Sequence, residues 1–428
     1  MLPVGQGFLI KDGGQMTIST SSPNTSRRWT VLLGGFLLSL MGGMSYAWGS
    51  FVVPLVMEWG WTATQATLPF TIMIIVFSIT MIPAGWIQDR IGPRKVATWG
   101  ALLFFVGYAL SGLLRWIPDP LWLVFSYGIL VGGACGLTYA CIAPTARKWY
   151  GDRPGFAVST AVMGFGLAAV VFSPLKRQMI NLCGVDGTFV VLSIFIAVVA
   201  LIGARLLKNP PGGYRSPPRK EAVKSKGVQS AELLKDIPPK EFIKTKVFYI
   251  LWLALAMVIG GGLTAIGLIP AYGEIVLSLE PAIAATAISA YALTNGLGRP
   301  FVGALSDQYG TLRVMITVYI MQATVFLALP FIAVNFGLLL VCSLLLGVGY
   351  ATTFALFPVL VASGFGTKYL GFNYGLVFSA FGIGALTSLL GSRLLDITNS
   401  FTPAFLLAGS TTVLGLVLLL MFRREIEG

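Results

Sequence analysis

Tyr291-Ala-Leu-Thr-Asn295-Gly-Leu-Gly-Arg299-Pro300-Phe-Val-Gly303-Ala-Leu-Ser-Asp307-Gln-Tyr-Gly310 begins inside a long apolar run and ends at a polar turn. Arg299 precedes Asp307 by eight residues, which at helical rise puts it roughly 12 Å deeper than the turn. A guanidinium that deep costs at least ~2.5 kcal/mol on insertion scales, so it is expected to face a cavity, a partner or a substrate. The competing reading is a side chain that snorkels back to the interface. Asn295 and Tyr291 stack above Arg299 at i−4 and i−8, one polar stripe on one helix face, which favours the cavity.

The surroundings of this stretch are those of an all-α integral membrane protein. Of 428 residues, 56% are hydrophobic and 11% charged, with mean hydropathy +0.83, values foreign to a soluble domain. The runs do not alternate apolar and polar residues as barrel strands do. Twelve segments of spanning length fall at about 30–57, 64–87, 96–115, 121–146, 155–175, 187–207, 247–272, 282–304, 312–334, 336–363, 370–392 and 402–422; they are spans 1 to 12 below. Cys135, Cys141, Cys183 and Cys342 lie in or beside these runs without CxxC spacing and read as packing residues. Histidine is absent, which removes the commonest metal ligand and the usual proton shuttle. No metal or other cofactor is expected.

Charge sets the orientation. With both termini inside, 24 Lys and Arg fall on the cytoplasmic side and four (Arg115, Lys176, Arg177 and Arg393) on the other, as the positive-inside bias requires. The net charge of +13 is therefore topological, and no nucleic-acid partner is implied. Residues 1–28 read as a flexible cytoplasmic N-terminus. A six-helix bundle follows at 29–207, then a basic cytoplasmic linker at 208–246 facing lipid headgroups, a second six-helix bundle at 247–422 and a tail at 423–428. A short amphipathic helix is expected near Ala231–Asp236.

The two halves repeat a turn. Gly85-Trp-Ile-Gln-Asp89-Arg90-Ile-Gly92-Pro-Arg94-Lys95 joins spans 2 and 3, and Gly303-Ala-Leu-Ser-Asp307-Gln-Tyr-Gly310-Thr-Leu-Arg313 joins spans 8 and 9, 218 residues later. Duplicated halves are a mark of secondary transporters that bind substrate at the midplane. The GxxxD…G…R/K turn resembles the signature of the major facilitator superfamily. That resemblance implies that Asp89 sits at the start of span 11 and Asp307 at the start of span 5. There they would gate the cytoplasmic side together with Arg90, Arg94 and Arg313.

Within that superfamily the chain resembles the branch of monocarboxylate transporters and the bacterial oxalate/formate exchanger. The resemblance rests on Asn295-Gly-Leu-Gly-Arg299-Pro300-Phe301-x-Gly303, Arg147-Lys148-Trp149-Tyr150…Gly155-Phe-Ala157, Gly164-x-Gly166, Asn373-Tyr374-Gly375 and Tyr46-x-Trp48. It implies that Arg299 holds a carboxylate, with Asn295, Tyr46, Tyr139, Phe165, Tyr350, Phe354, Phe378 and Phe381 around the substrate. The departures are specific. Phe381 stands where the exchanger has a lysine, Ser50 where animal carriers have one, and Asn295 where those carriers have an aspartate. Arg27-Arg28-Trp29 replaces an acidic Gly-Trp motif. One buried cation suits one carboxylate, since a dianion would keep an uncompensated charge in low dielectric.

The expectation is a monomeric transporter of the bacterial inner membrane. It would move lactate-, pyruvate- or acetate-like monocarboxylates by alternating access with a proton. Anion exchange of the oxalate/formate type is the alternative, and a multidrug exporter of the same fold a weaker one. With no buried acid to carry a proton, it would ride on the substrate–Arg299 assembly. An enzyme would need a nucleophile–base pair or a metal cluster, and none is visible.

Overall fold

The computed structural model describes residues 25–214, 216 and 236–427, and the regular elements among them are helices. The tail before Thr25, the middle of the linker and all but the last residue of the helix expected at Ala231–Asp236 lie outside the described residues. Ten of the described helices are long and apolar enough to cross a membrane, and two facts reconcile them with the twelve segments. Span 8 is the 29-residue helix Pro281–Tyr309; it has the length, but Asn295, Arg299 and Asp307 lower its hydropathy. Spans 5 and 6 share one 53-residue element, Pro154–Leu206, broken at Gly184 (φ 72°, ψ 179°). Neighbouring residues of span 1 touch both of its arms, Gly34 at Gly203 and Gly35 at Ala161. In a straight helix those partners would stand ~63 Å apart, so the chain reverses at Gly184, in a conformation that glycine tolerates.

Glycines also set where the first and second halves of the chain meet. A Cβ at Gly303 would fall 2.4 Å from the Gly155 carbonyl oxygen, and one at Gly85 2.1 Å from that of Gly371. Spans 5 and 8, and spans 2 and 11, are thus in backbone contact. Gly166 extends the first of these seams, since its Cβ would meet Gly296 Cα at 2.7 Å.

Span 1 is interrupted by the 3-10 turn Met44–Trp48, where Ala47 leaves helical geometry (φ −84°, ψ 21°). Such an interruption releases carbonyls for other donors. The described ends of the linker are docked on the turns before spans 5 and 11. Lys208 accepts from Trp149 Nε1 at 2.6 Å and Tyr214 donates to the Trp149 carbonyl at 3.0 Å. The Asp236 carboxylate accepts from the Thr367 and Lys368 amides, both at 3.0 Å.

Candidate substrate site

Arg299 is fully buried, and its head does not turn to an interface. Nη1 donates to the Val162 carbonyl of span 5 at 2.8 Å, Nη2 to Asn295 Oδ1 at 3.1 Å, and Nε to the Asn295 carbonyl at 3.1 Å. All three acceptors are neutral. The guanidinium carbon lies 5.0 Å from the centre of the Phe354 ring, a contact that favours a cation without neutralising it. Tyr291, Asn295 and Arg299 share a buried helix face as the stripe required, and Tyr291 donates to the Gly262 carbonyl at 3.1 Å.

The expected aromatics form one cage with Arg299. From Phe354, ring centres run to Tyr350 at 5.0 Å, Phe378 at 6.1 Å and Phe381 at 5.8 Å. From Phe165 they run to Tyr46 at 5.0 Å and Tyr139 at 5.4 Å, and Tyr139 reaches Phe378 at 5.5 Å. Sequence reasoning missed Phe77 of span 2, which stacks on Phe165 at 5.8 Å and reaches Phe378 at 5.2 Å. One phenylalanine in an apolar run carries no signal. Tyr374, 5.6 Å from Phe378, did carry one in the Asn373-Tyr374-Gly375 motif. Two surface recesses, of about 380 and 210 Å³, lie at the Arg28–Trp29 end of span 1, and no cage residue lines them.

The cage holds unused hydrogen-bonding capacity. Tyr46 neighbours Tyr350, and Tyr139 neighbours Arg299 and Tyr374. Yet among the described residues the buried hydroxyls of Tyr46, Tyr139 and Tyr350 meet no partner in full hydrogen-bond geometry. An unpaired buried hydroxyl costs ~1–3 kcal/mol, and three around one guanidinium mark a place prepared for an acceptor. Chemically the cage offers a fixed positive charge, three phenols and apolar ring faces.

The two motif aspartates sit where the resemblance implied. Asp307 accepts from the Gly155 and Phe156 amides, both at 2.8 Å, in the first turn of span 5. Asp89 accepts from the Gly371 and Phe372 amides at 3.3 and 3.0 Å, in the first turn of span 11. Both carboxylates thus lie on positive helix ends. The neighbouring cations Arg147 and Lys148 face Asp307 and Asp89 respectively, so both pairs lie on one face of the molecule, the motif face. Arg90 is exposed over the Trp86 ring at 3.8 Å, and Arg94 and Arg313 are exposed.

One expectation is corrected. Lys176 is not an outer-turn residue, and Arg299 is not the one buried cation. The helix of span 5 runs on to Gly184, and Lys176 is fully buried, its Nζ donating to the Met44 carbonyl at 3.0 Å. The pair Lys176-Arg177 reads as a turn because two adjacent cations are rarely buried together. Here Arg177 is exposed while Lys176 turns inward.

The profile of the Major Facilitator Superfamily matches residues 31–287 and 268–428. The oxalate:formate antiporter of Oxalobacter formigenes is 26% identical over 398 residues, 91% of this chain and 90% of its own. Monocarboxylate transporter 13 of Bos taurus is 25% identical, covering 94% and 90%. Among solved structures, the E. coli fucose:proton symporter superposes with TM-score 0.68 at 14% identity, covering 92% of this chain and 98% of that one. A bacterial homologue of the iron transporter ferroportin, in an outward-facing state, gives 0.67 at 17%, covering 93% and 99%.

Proposed function

Because this chain belongs to the Major Facilitator Superfamily, and so is a membrane transporter and not an enzyme, we propose that it carries small monocarboxylates across the membrane. The observation that carries this reading is the buried Arg299 guanidinium, which among the described residues bonds to neutral acceptors and stands among three phenols that meet no partner in full hydrogen-bond geometry. Such a group binds a carboxylate by charge and by a planar fork. The ring faces of Phe354, Phe378 and Phe381 suit a methyl or short chain, and a phenol can serve a 2-hydroxyl or 2-oxo group. The names of two relatives, an oxalate:formate antiporter and a monocarboxylate transporter, support a small organic acid.

In this reading residues 29–207 and 247–422 rock about the cage, joined by 208–246, with the motif face and both termini cytoplasmic in a bacterial inner membrane. Engagement of both aspartates with their helix ends corresponds to a closed cytoplasmic gate. Among the described residues no Asp or Glu is fully buried, so the proton travels with the bound acid, whose carboxyl is easier to protonate in a low-dielectric cage. Unaccompanied anion entry would work against an inside-negative potential.

Purified protein in liposomes, loaded with or without a pH gradient and offered labelled lactate, pyruvate, acetate and oxalate, tests this. Accumulation of a monocarboxylate driven by the pH gradient is expected. Uptake that requires a second acid trapped inside selects exchange. Absence of uptake of any acid ends the proposal.

A further inference from the structure

Lys176 is a second cation inside the helices, and the cage does not use it. Its Nζ donates to the Met44 carbonyl at 3.0 Å and stands 4.9 Å from the centre of the Phe51 ring. An ammonium has three N–H groups, and no ion pair is found for it among the described residues. A buried charge without a counter-ion is costly, yet Lys176 turns inward while the adjacent Arg177 faces outward. The broken turn Met44–Trp48 of span 1 supplies the carbonyl that holds Lys176 in.

Its position relative to Arg299 follows from span 5. Val162, which accepts from Arg299, and Lys176 lie 14 residues apart on one helix, about 21 Å at helical rise. Helical side chains tilt toward the N-terminus, so the lysine stem reaches back toward the cage. The partners agree: Gly43 packs on Phe165, and Ser50 donates to the Ser173 carbonyl at 3.3 Å. The Met44 carbonyl therefore lies below the level of Ser173. The two heads are separated by roughly 15 Å, with Lys176 on the side of the cage away from the motif face.

We propose that Lys176 is a specificity-determining residue of the transport path. It touches no substrate; in its protonated form its charge, which no ion pair among the described residues compensates, makes the approach to Arg299 favourable for anions. This rests on the reading that the Arg299 cage takes a carboxylate. At ~15 Å and an effective dielectric near 20, a unit charge changes the affinity for a monoanion about fivefold and that for a neutral molecule not at all.

The test uses the full chain in liposomes, with competition of unlabelled lactate and of neutral lactamide against labelled lactate. Lys176→Met is expected to weaken lactate about fivefold and leave lactamide unchanged, and Lys176→Arg to restore lactate. The melting temperature of the ligand-free protein reads the loss of the Met44 tether separately. Equal loss for lactate and lactamide makes Lys176 a structural tie and overturns the proposal. An unchanged lactate affinity in Lys176→Met overturns it as well, while Arg299-dependent uptake leaves the carboxylate reading standing. If the wild type takes up no carboxylate, both readings fall.

Discussion

Replacing Arg299 by alanine removes the charge and also breaks a set of bonds within the protein. The Val162 carbonyl and Asn295 Oδ1, now served at 2.8 and 3.1 Å, lose their donor, at about 1–3 kcal/mol each in stability. A bound carboxylate loses its countercharge, and breaking one side of a buried pair costs about 3–5 kcal/mol. On the affinity scale that is a loss of between about 10²-fold and several thousandfold. Arg299→Lys keeps the charge, but one ammonium cannot serve Val162, Asn295 and both carboxylate oxygens. With one acceptor left unpaired, the loss is about ten- to a hundredfold. Initial rates of labelled lactate uptake into proteoliposomes over a concentration series give both values, and a thermal melt shows whether each variant is folded. Folded Arg299→Ala protein that takes up lactate at near wild-type affinity would refute the assignment of the cage as the binding site.

Three further outcomes are expected. Asp307→Asn and Asp89→Asn weaken charge-assisted bonds to helix ends, so they should slow turnover more than they weaken binding and raise thiol labelling on the motif face; unchanged labelling in both would reduce the motif to a turn former. Gly303→Ala places a methyl 2.4 Å from the Gly155 carbonyl oxygen, so the seam between spans 5 and 8 should open and uptake should collapse in protein that still inserts; near-normal uptake would show that the seam yields cheaply. Phe381→Lys puts a cation into a fully buried position of the cage, which should weaken lactate and let oxalate compete; effective oxalate competition in the wild type would show that counting cage cations misreads the pocket.

The parts of the site that were legible in sequence are those whose chemistry is out of place in an apolar run. Arg299 and Asn295 announce themselves by cost and share the helix face that their spacing implied; Asp89 and Asp307 announce themselves by a repeated turn and lie where the resemblance implied. The aromatics were legible only through resemblance, because a single ring in a membrane helix is ordinary, and Phe77 had neither route. Two contributions had no sequence signal at all. The Val162 carbonyl that orients Arg299 is backbone, available at any residue where geometry allows. The inward turn of Lys176 depends on a carbonyl released 132 residues earlier in the chain, which no local pattern reports. In the fold, Gly184 alone reverses the chain, so spans 5 and 6 were legible as separate segments while the helix between them was read as a polar turn.

Across the seams both aspartates are received by main-chain amides, with Gln88 Nε2 of span 2 also donating to Asp89. The receiving half of each contact is therefore nearly immune to drift, since almost any residue at 156 or 372 still supplies the donor. An alanine scan would pass over Phe156 and Phe372 and report only the acid. Proline is the exception, because it deletes the donor itself. Phe156→Pro and Phe372→Pro would thus remove one of the two receiving amides, from the side that ordinary mutagenesis leaves silent, and a population of variants should tolerate diversity there with that single residue missing.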